Sequence, residues 1–136
     1  MAEDSGKSAA GQGKLLLIVD DDDDIRGLLE VLVKREGFRV LSASSGEEAI
    51  QKLDQKPDGI VLDLVMPGCG GLGVLEHFRR QGGPVPPIIV VTAYQDRHPA
   101  VVAAMQDPNV TQCLSKPLNT GAFVGALHRY VDSAPR

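Results

Sequence analysis

The chain has 136 residues, 43% of them hydrophobic, which suits one compact domain with a real core and argues against two. Its 14 basic and 18 acidic residues give a net charge of −4 with no basic patch, so direct binding of nucleic acid through a basic surface is not expected. No apolar run approaches the roughly 20 residues of a membrane span, and residues 1–13 lack the apolar core of a signal peptide. Cys69 and Cys113 form neither a C-x-x-C pair nor a disulfide pattern, so reduced thiols and a cytoplasmic location are expected.

Residues 1–13 are small, polar and glycine-containing and read as a flexible tail, with the domain beginning near Lys14. Leu15 to Val19 reads as a buried strand, and five aspartates, Asp20 to Asp24, follow it directly. Two carboxylates about 4 Å apart repel by roughly 4 kcal/mol near a protein surface, so this run calls for a cation or for helix N–H groups. Asp is favoured at helix N-caps and in first turns, and a helix does follow. Ile25, Leu28, Leu29, Leu32 and Val33 recur at intervals of three and four until Gly37. Phe38 to Ala43 is a second strand. Ser44-Ser45 with Glu47-Glu48 offers a capping box in either register, opening a short helix that includes Ala49, Ile50 and Leu53. After Pro57-Asp58, Gly59 to Leu62 is a third strand. A Pro- and Gly-rich loop, Met66 to Gly71, leads to a helix carrying Leu72, Leu75 and Phe78. Ile88 to Val91 is the fourth strand, and Val101, Val102 and Met105 mark the fourth helix. Cys113 to Ser115 is a short fifth strand. Phe123, Leu127, Tyr130 and Val131 mark the last helix, and residues 132–136 read as a C-terminal tail or the start of a linker.

Strands alternating with helices, several of them apolar throughout, predict an α/β fold: a single doubly wound (βα)5 domain of flavodoxin-like type over residues 14–131. Its sheet is parallel, with strand order 2-1-3-4-5. In such sheets ligands bind beyond the carboxyl ends of the strands. Those ends carry Asp20 and Asp21, Asp63, Thr92 and Lys116. Each alone has an ordinary structural explanation, but four adjacent strand ends bearing carboxylates, a hydroxyl and an ammonium are not expected by chance. Clustered carboxylate oxygens suit a hard cation such as Mg²⁺, with Mn²⁺ as a substitute. An aspartate can also act as a nucleophile toward phosphorus, with charge neutralised from both flanks.

Ile18-Val19-Asp20-Asp21, Val61-Leu62-Asp63-Leu64-Val65-Met66-Pro67-Gly68, Val91-Thr92-Ala93 and Leu114-Ser115-Lys116-Pro117 closely resemble the receiver domains of two-component response regulators. The resemblance implies that Asp63 accepts a phosphoryl group from a sensor histidine kinase or a histidine phosphotransfer protein. It implies that Asp20, Asp21, Asp63 and the Val65 backbone carbonyl hold Mg²⁺. Thr92 would be the switch hydroxyl and Lys116 the phosphoryl partner, with a cis peptide between Lys116 and Pro117. The partner would dock beside the first helix and the loop after the fifth strand, with Leu118 and the face around Ile25 to Leu29 as contacts. Output, and possible homodimerisation, would use the surface of the fourth helix, fifth strand and fifth helix.

The chain departs from the family pattern at three places. Cys113 stands where an aromatic switch residue is usual and is expected to pack. Cys69-Gly70 replaces a usual Met-Asp, so extra glycine is expected to loosen the entry to the third helix. Val65 and Tyr94 offer no amide or carboxylate to position water, from which slow self-dephosphorylation is expected. The alternatives are a phosphorylation-independent interaction module and a haloacid-dehalogenase-type phosphohydrolase with its nucleophile in Asp20 to Asp22. A flavodoxin-type nucleotide binder is disfavoured because the aspartates would repel its phosphate. His77, His98 and His128 lack metal-ligand spacing and read as surface residues.

Overall fold

Leu15–Val19 (β1) is apolar at every position because both of its faces are covered. Leu17 and Val19 join one core with Ile60, Leu62, Ile88 and Val90, whereas Leu16 and Ile18 join a second with Val61, Ile89 and Val91. The remaining strands are β2 (Arg39–Ala43), β3 (Gly59–Leu62), β4 (Ile88–Thr92) and β5 (Val110–Ser115). All pairings are parallel, in the order β2-β1-β3-β4-β5, as the sequence predicts. The structure, a computed structural model, describes residues 13–132. The two expected tails therefore lie, apart from Gly13 and Asp132, outside the described residues.

Helix α1 (Asp23–Arg35) begins where Asp22 acts as N-cap, its Oδ1 accepting the N–H groups of Asp24 at 2.9 Å and Ile25 at 3.1 Å. It ends at Gly37, which takes φ 91° and donates its N–H to Lys34 O. Helix α2 (Gly46–Lys52) settles the capping register: Ser45 accepts the Glu48 N–H at 3.1 Å, while Glu48 Oε1 accepts the Ser44 N–H at 2.8 Å. Helices α3 (Gly70–Gln81) and α4 (Pro99–Met105) cover the first core together with α2, and α1 covers the second with α5 (Thr120–Ala126). A π-helical segment, Leu127–Asp132, extends α5, and Lys14 Nζ donates to its last carbonyls, Val131 at 2.9 Å and Asp132 at 2.7 Å. Among the described residues no helix is long and apolar enough to cross a membrane.

Two elements differ from expectation. Strand β5 starts three residues early, at Val110, because a register shift between Ile88 and Ile89 lets Val110 pair with Ile88 and Gln112 with Ile89. Its polar Thr111 and Gln112 conceal an edge strand. Helix α4 buries Val101 and Ala104, leaving Val102 and Met105 exposed, so its inward face is rotated from the one expected.

Candidate functional site

Strands β1 and β3 deliver their terminal carboxylates side by side, since the Asp63 N–H donates to Val19 O at 3.0 Å. Asp20 and Asp63 are buried, at 1% and 3% exposure, whereas Asp21 is exposed. Asp20 Oδ1 accepts the Asp22 N–H at 2.9 Å. Asp63 Oδ1 accepts the Val65 N–H at 3.1 Å. Lys116 Nζ bridges the two buried residues, donating to Asp20 Oδ2 at 2.9 Å and Asp63 Oδ2 at 3.2 Å. Carboxylate oxygens of Asp20, Asp21 and Asp63 all lie within 4.8 Å of one another.

Three carboxylates and one ammonium leave two negative charges without a partner in this cluster. Burial pushes the Asp63 carboxyl above the usual aspartate range, against the opposing pull of the Val65 N–H and Lys116, and the Asp20 charge adds to the rise. Burial acts to lower Lys116, but its bonds to Asp20 and Asp63 outweigh this and hold it above the usual lysine range. Lys116 therefore stays charged, divided between two carboxylates, and leaves Asp63 under-compensated. An all-oxygen donor set open to solvent at Asp21 fits a hard divalent cation such as Mg²⁺, which keeps several of its waters. Val65 is exposed two residues beyond Asp63, on the loop that the Asp63 side chain anchors.

Thr92 ends β4, buried, with Oγ1 accepting the Tyr94 N–H at 3.3 Å. Its carbonyl accepts the Lys116 N–H at 2.9 Å, which ties the end of β4 to the lysine loop. The Lys116–Pro117 peptide is cis. Cys113 is half-buried against the first core, and burial pushes its thiol pKa up, as befits a packing residue.

Several neighbours escape a reading of strand ends. Arg26 donates from Nη1 to Asp20 O at 2.9 Å and also bonds Asp23, fixing the turn that presents Asp20 and Asp21. Gly71 packs so closely under the site that a Cβ there would lie 2.4 Å from Asp63 O. Gly68 and Gly70 adopt φ of 75° and 63°, so the loop glycines serve a required conformation and a close approach rather than looseness. His98 and His128 are more than surface residues: His98 Nδ1 accepts the Ala100 N–H at 3.0 Å, capping α4, and its ring stacks on Tyr94 at 3.6 Å. His128 lies between Glu36 and Asp132. Glycine doublets and a basic residue one turn into α1 are the only sequence signals for these contacts.

The response regulator receiver domain family matches residues 16–128. The transcriptional regulatory protein AfsQ1 of Streptomyces coelicolor is 44% identical over 88 residues, covering 64% of this chain and 38% of that protein. A CpxR homolog of Haemophilus influenzae, also named a transcriptional regulatory protein, is 35% identical over 112 residues, covering 82% and 48%. The chain thus spans less than half the length of these relatives. Among solved structures, a response regulator described as putative from Chloroflexus aurantiacus is 31% identical with a TM-score of 0.77, covering 88% of this chain and 98% of that one. A signal receiver domain from Bermanella marisrubri is 30% identical with the same score of 0.77, covering 88% and 99%. With its parallel 2-1-3-4-5 sheet and its aspartates gathered at the strand ends, the chain belongs to the response regulator receiver domain family.

Proposed function

We propose that this chain is a phosphorylation switch in which Asp63 accepts a phosphoryl group from a phosphohistidine of a sensor kinase or phosphotransfer protein. The supporting observation is the buried Asp63 carboxylate, joined to Asp20 through Lys116 beside the exposed Asp21. An Asp63 oxygen attacks phosphorus; the P–N bond to the donor imidazole breaks, its electron pair returning to the ring, and an acyl-phosphate P–O bond forms. Asp20, Asp21, Asp63 and the Val65 carbonyl would hold Mg²⁺, which supplies positive charge to the oxygens of the group in transfer. Lys116 offers a second cation to the same oxygens. The Thr92 hydroxyl donates to the phosphoryl group once it leaves the Tyr94 N–H, and the resulting shift is read on α4, β5 and α5. That surface would carry output to a partner or a second copy, and the names of the relatives make transcriptional control the leading output.

The test is incubation with acetyl phosphate and Mg²⁺, followed by intact-mass measurement of wild type and Asp63→Asn. One phosphoryl mass should appear in the wild type alone; equal labelling of both, or of neither, overturns the reading. Asp20→Asn abolishing a label that Asp63→Asn retains would favour the phosphohydrolase instead. The label should be long-lived and should decay faster in Val65→Asn, which introduces an amide able to orient water.

A further inference from the structure

The loop between β3 and α3 is held at two points. Near its start the Val65 N–H donates to Asp63 Oδ1, and at its end the Cys69 N–H donates to Glu47 Oε2 at 3.0 Å, across from the first turn of α2. Three residues, Met66, Pro67 and Gly68, separate the anchored Val65 and Cys69, and Met66 packs against the first core. Both sides of the α2 contact dispense with side chains to achieve it. A Cβ on Gly68 would lie 2.8 and 2.9 Å from the two Glu47 carboxylate oxygens, and one on Gly46 would lie 2.5 Å from Cys69 Sγ and 2.8 Å from Gly70 O. Helix α3 needs this outside help. Its N-cap, Cys69, makes no side-chain cap bond, and no acidic residue occupies its first turn. Glu47 supplies the missing carboxylate from a different helix, where N–H groups and the helix dipole favour a negative charge. Backbone N–H groups of Glu47 itself and of Cys69 hold the Glu47 pKa below the usual glutamate range, so the clasp remains ionised at neutral pH.

We propose that Glu47 is a positioning residue for the phosphorylation site: from α2 it fixes the backbone segment that includes Val65, and so sets how strongly the aspartate cluster takes up Mg²⁺. The inference rests on the functional reading above. Glu47 is exposed, so replacing it leaves the core intact. Mg²⁺ alone is titrated calorimetrically into the full chain, with urea stability measured in parallel. Outer partners of metal ligands typically change affinity by 10–100-fold, and Glu47 acts one step further out, so Glu47→Ala should weaken Mg²⁺ binding by about three- to tenfold. Glu47→Gln keeps an acceptor oxygen and should recover most of that loss. A Glu47→Ala protein with the Mg²⁺ affinity of the wild type overturns this inference alone. A wild type that takes up no Mg²⁺ overturns the functional reading together with the inference.

Discussion

At Asp63 chemistry and stability oppose each other. The residue is almost wholly buried, shares its one ammonium with Asp20, and has Asp21 within the same 4.8 Å cluster. Repulsion between neighbouring carboxylates reaches about 4 kcal/mol at the effective dielectric of a protein surface, and Lys116 offsets only part of it. Asp63→Asn keeps the shape and one acceptor oxygen, which serves either the Val65 N–H now on Oδ1 or the Lys116 ammonium now on Oδ2, while removing one negative charge. In Mg²⁺-free buffer at pH 7 it should therefore be more stable than the wild type by about 1–3 kcal/mol, against the usual direction of a core substitution. Chemical denaturation of the two proteins checks this, and an equally or less stable variant would show that Lys116 already balances the site.

Among the elements, the join between α1 and the end of α5 carries a titrating group outside the aspartate cluster. His128 Nε2 lies 2.7 Å from Glu36 Oε1 at the C-cap of α1, and Nδ1 lies 3.2 Å from Asp132 Oδ2. Burial acts to lower the His128 pKa, but bonds to the two carboxylates outweigh it and raise the pKa above the usual histidine value. The folded chain therefore binds the proton more tightly than the unfolded one. The resulting stability is fully present below the ordinary histidine pKa of about 6.5 and is lost as the pH rises through the higher folded value. Because the ring is a third exposed, the contribution should be no more than about 1 kcal/mol. Urea midpoints at pH 6 and pH 8.5 should fall for the wild type relative to His128→Gln, and parallel behaviour of the two would remove His128 from the balance. His128 also marks the limit of what the sequence reveals about an element. The spacing around it predicts the helix, but its partner Glu36 lies 92 positions away. The same limit applies elsewhere. Asp20 and Asp63 are legible because each directly follows an apolar strand, Thr92 because it ends one, and Lys116 because it follows the short strand segment Cys113 to Ser115. Arg26, Glu47 and Gly71 matter through the approach of separate elements, which periodicity does not encode.

Across the whole molecule, the two cores share a single sheet, and this determines which parts can move. Strands β1, β3 and β4 are buried along their whole length and contribute to both cores. Their amides can open only when both helical layers detach, which amounts to global unfolding. The β5 edge is different: four of its six residues are only partly buried, and its ladder is interrupted by the shift at Ile88/Ile89. Beside it, the seven-residue α4 buries just Val101 and Ala104 and presents Val102 and Met105 to solvent. Leu and Val side chains fully removed from water contribute about 1.5–3 kcal/mol each, so α4 is fastened by far less apolar burial than the central strands. Hydrogen exchange should therefore reveal α4 and the start of β5 opening at a free energy well below that of β1, β3 and β4. This side adjoins Thr92, through the stacked Tyr94 and His98 that lead into α4. The proposed switch needs an element of low local stability near its site, and this edge would supply one. Uniform protection across all five strands and α4 would instead mean that the fold moves as one unit, leaving the proposed phosphorylation no soft edge to displace.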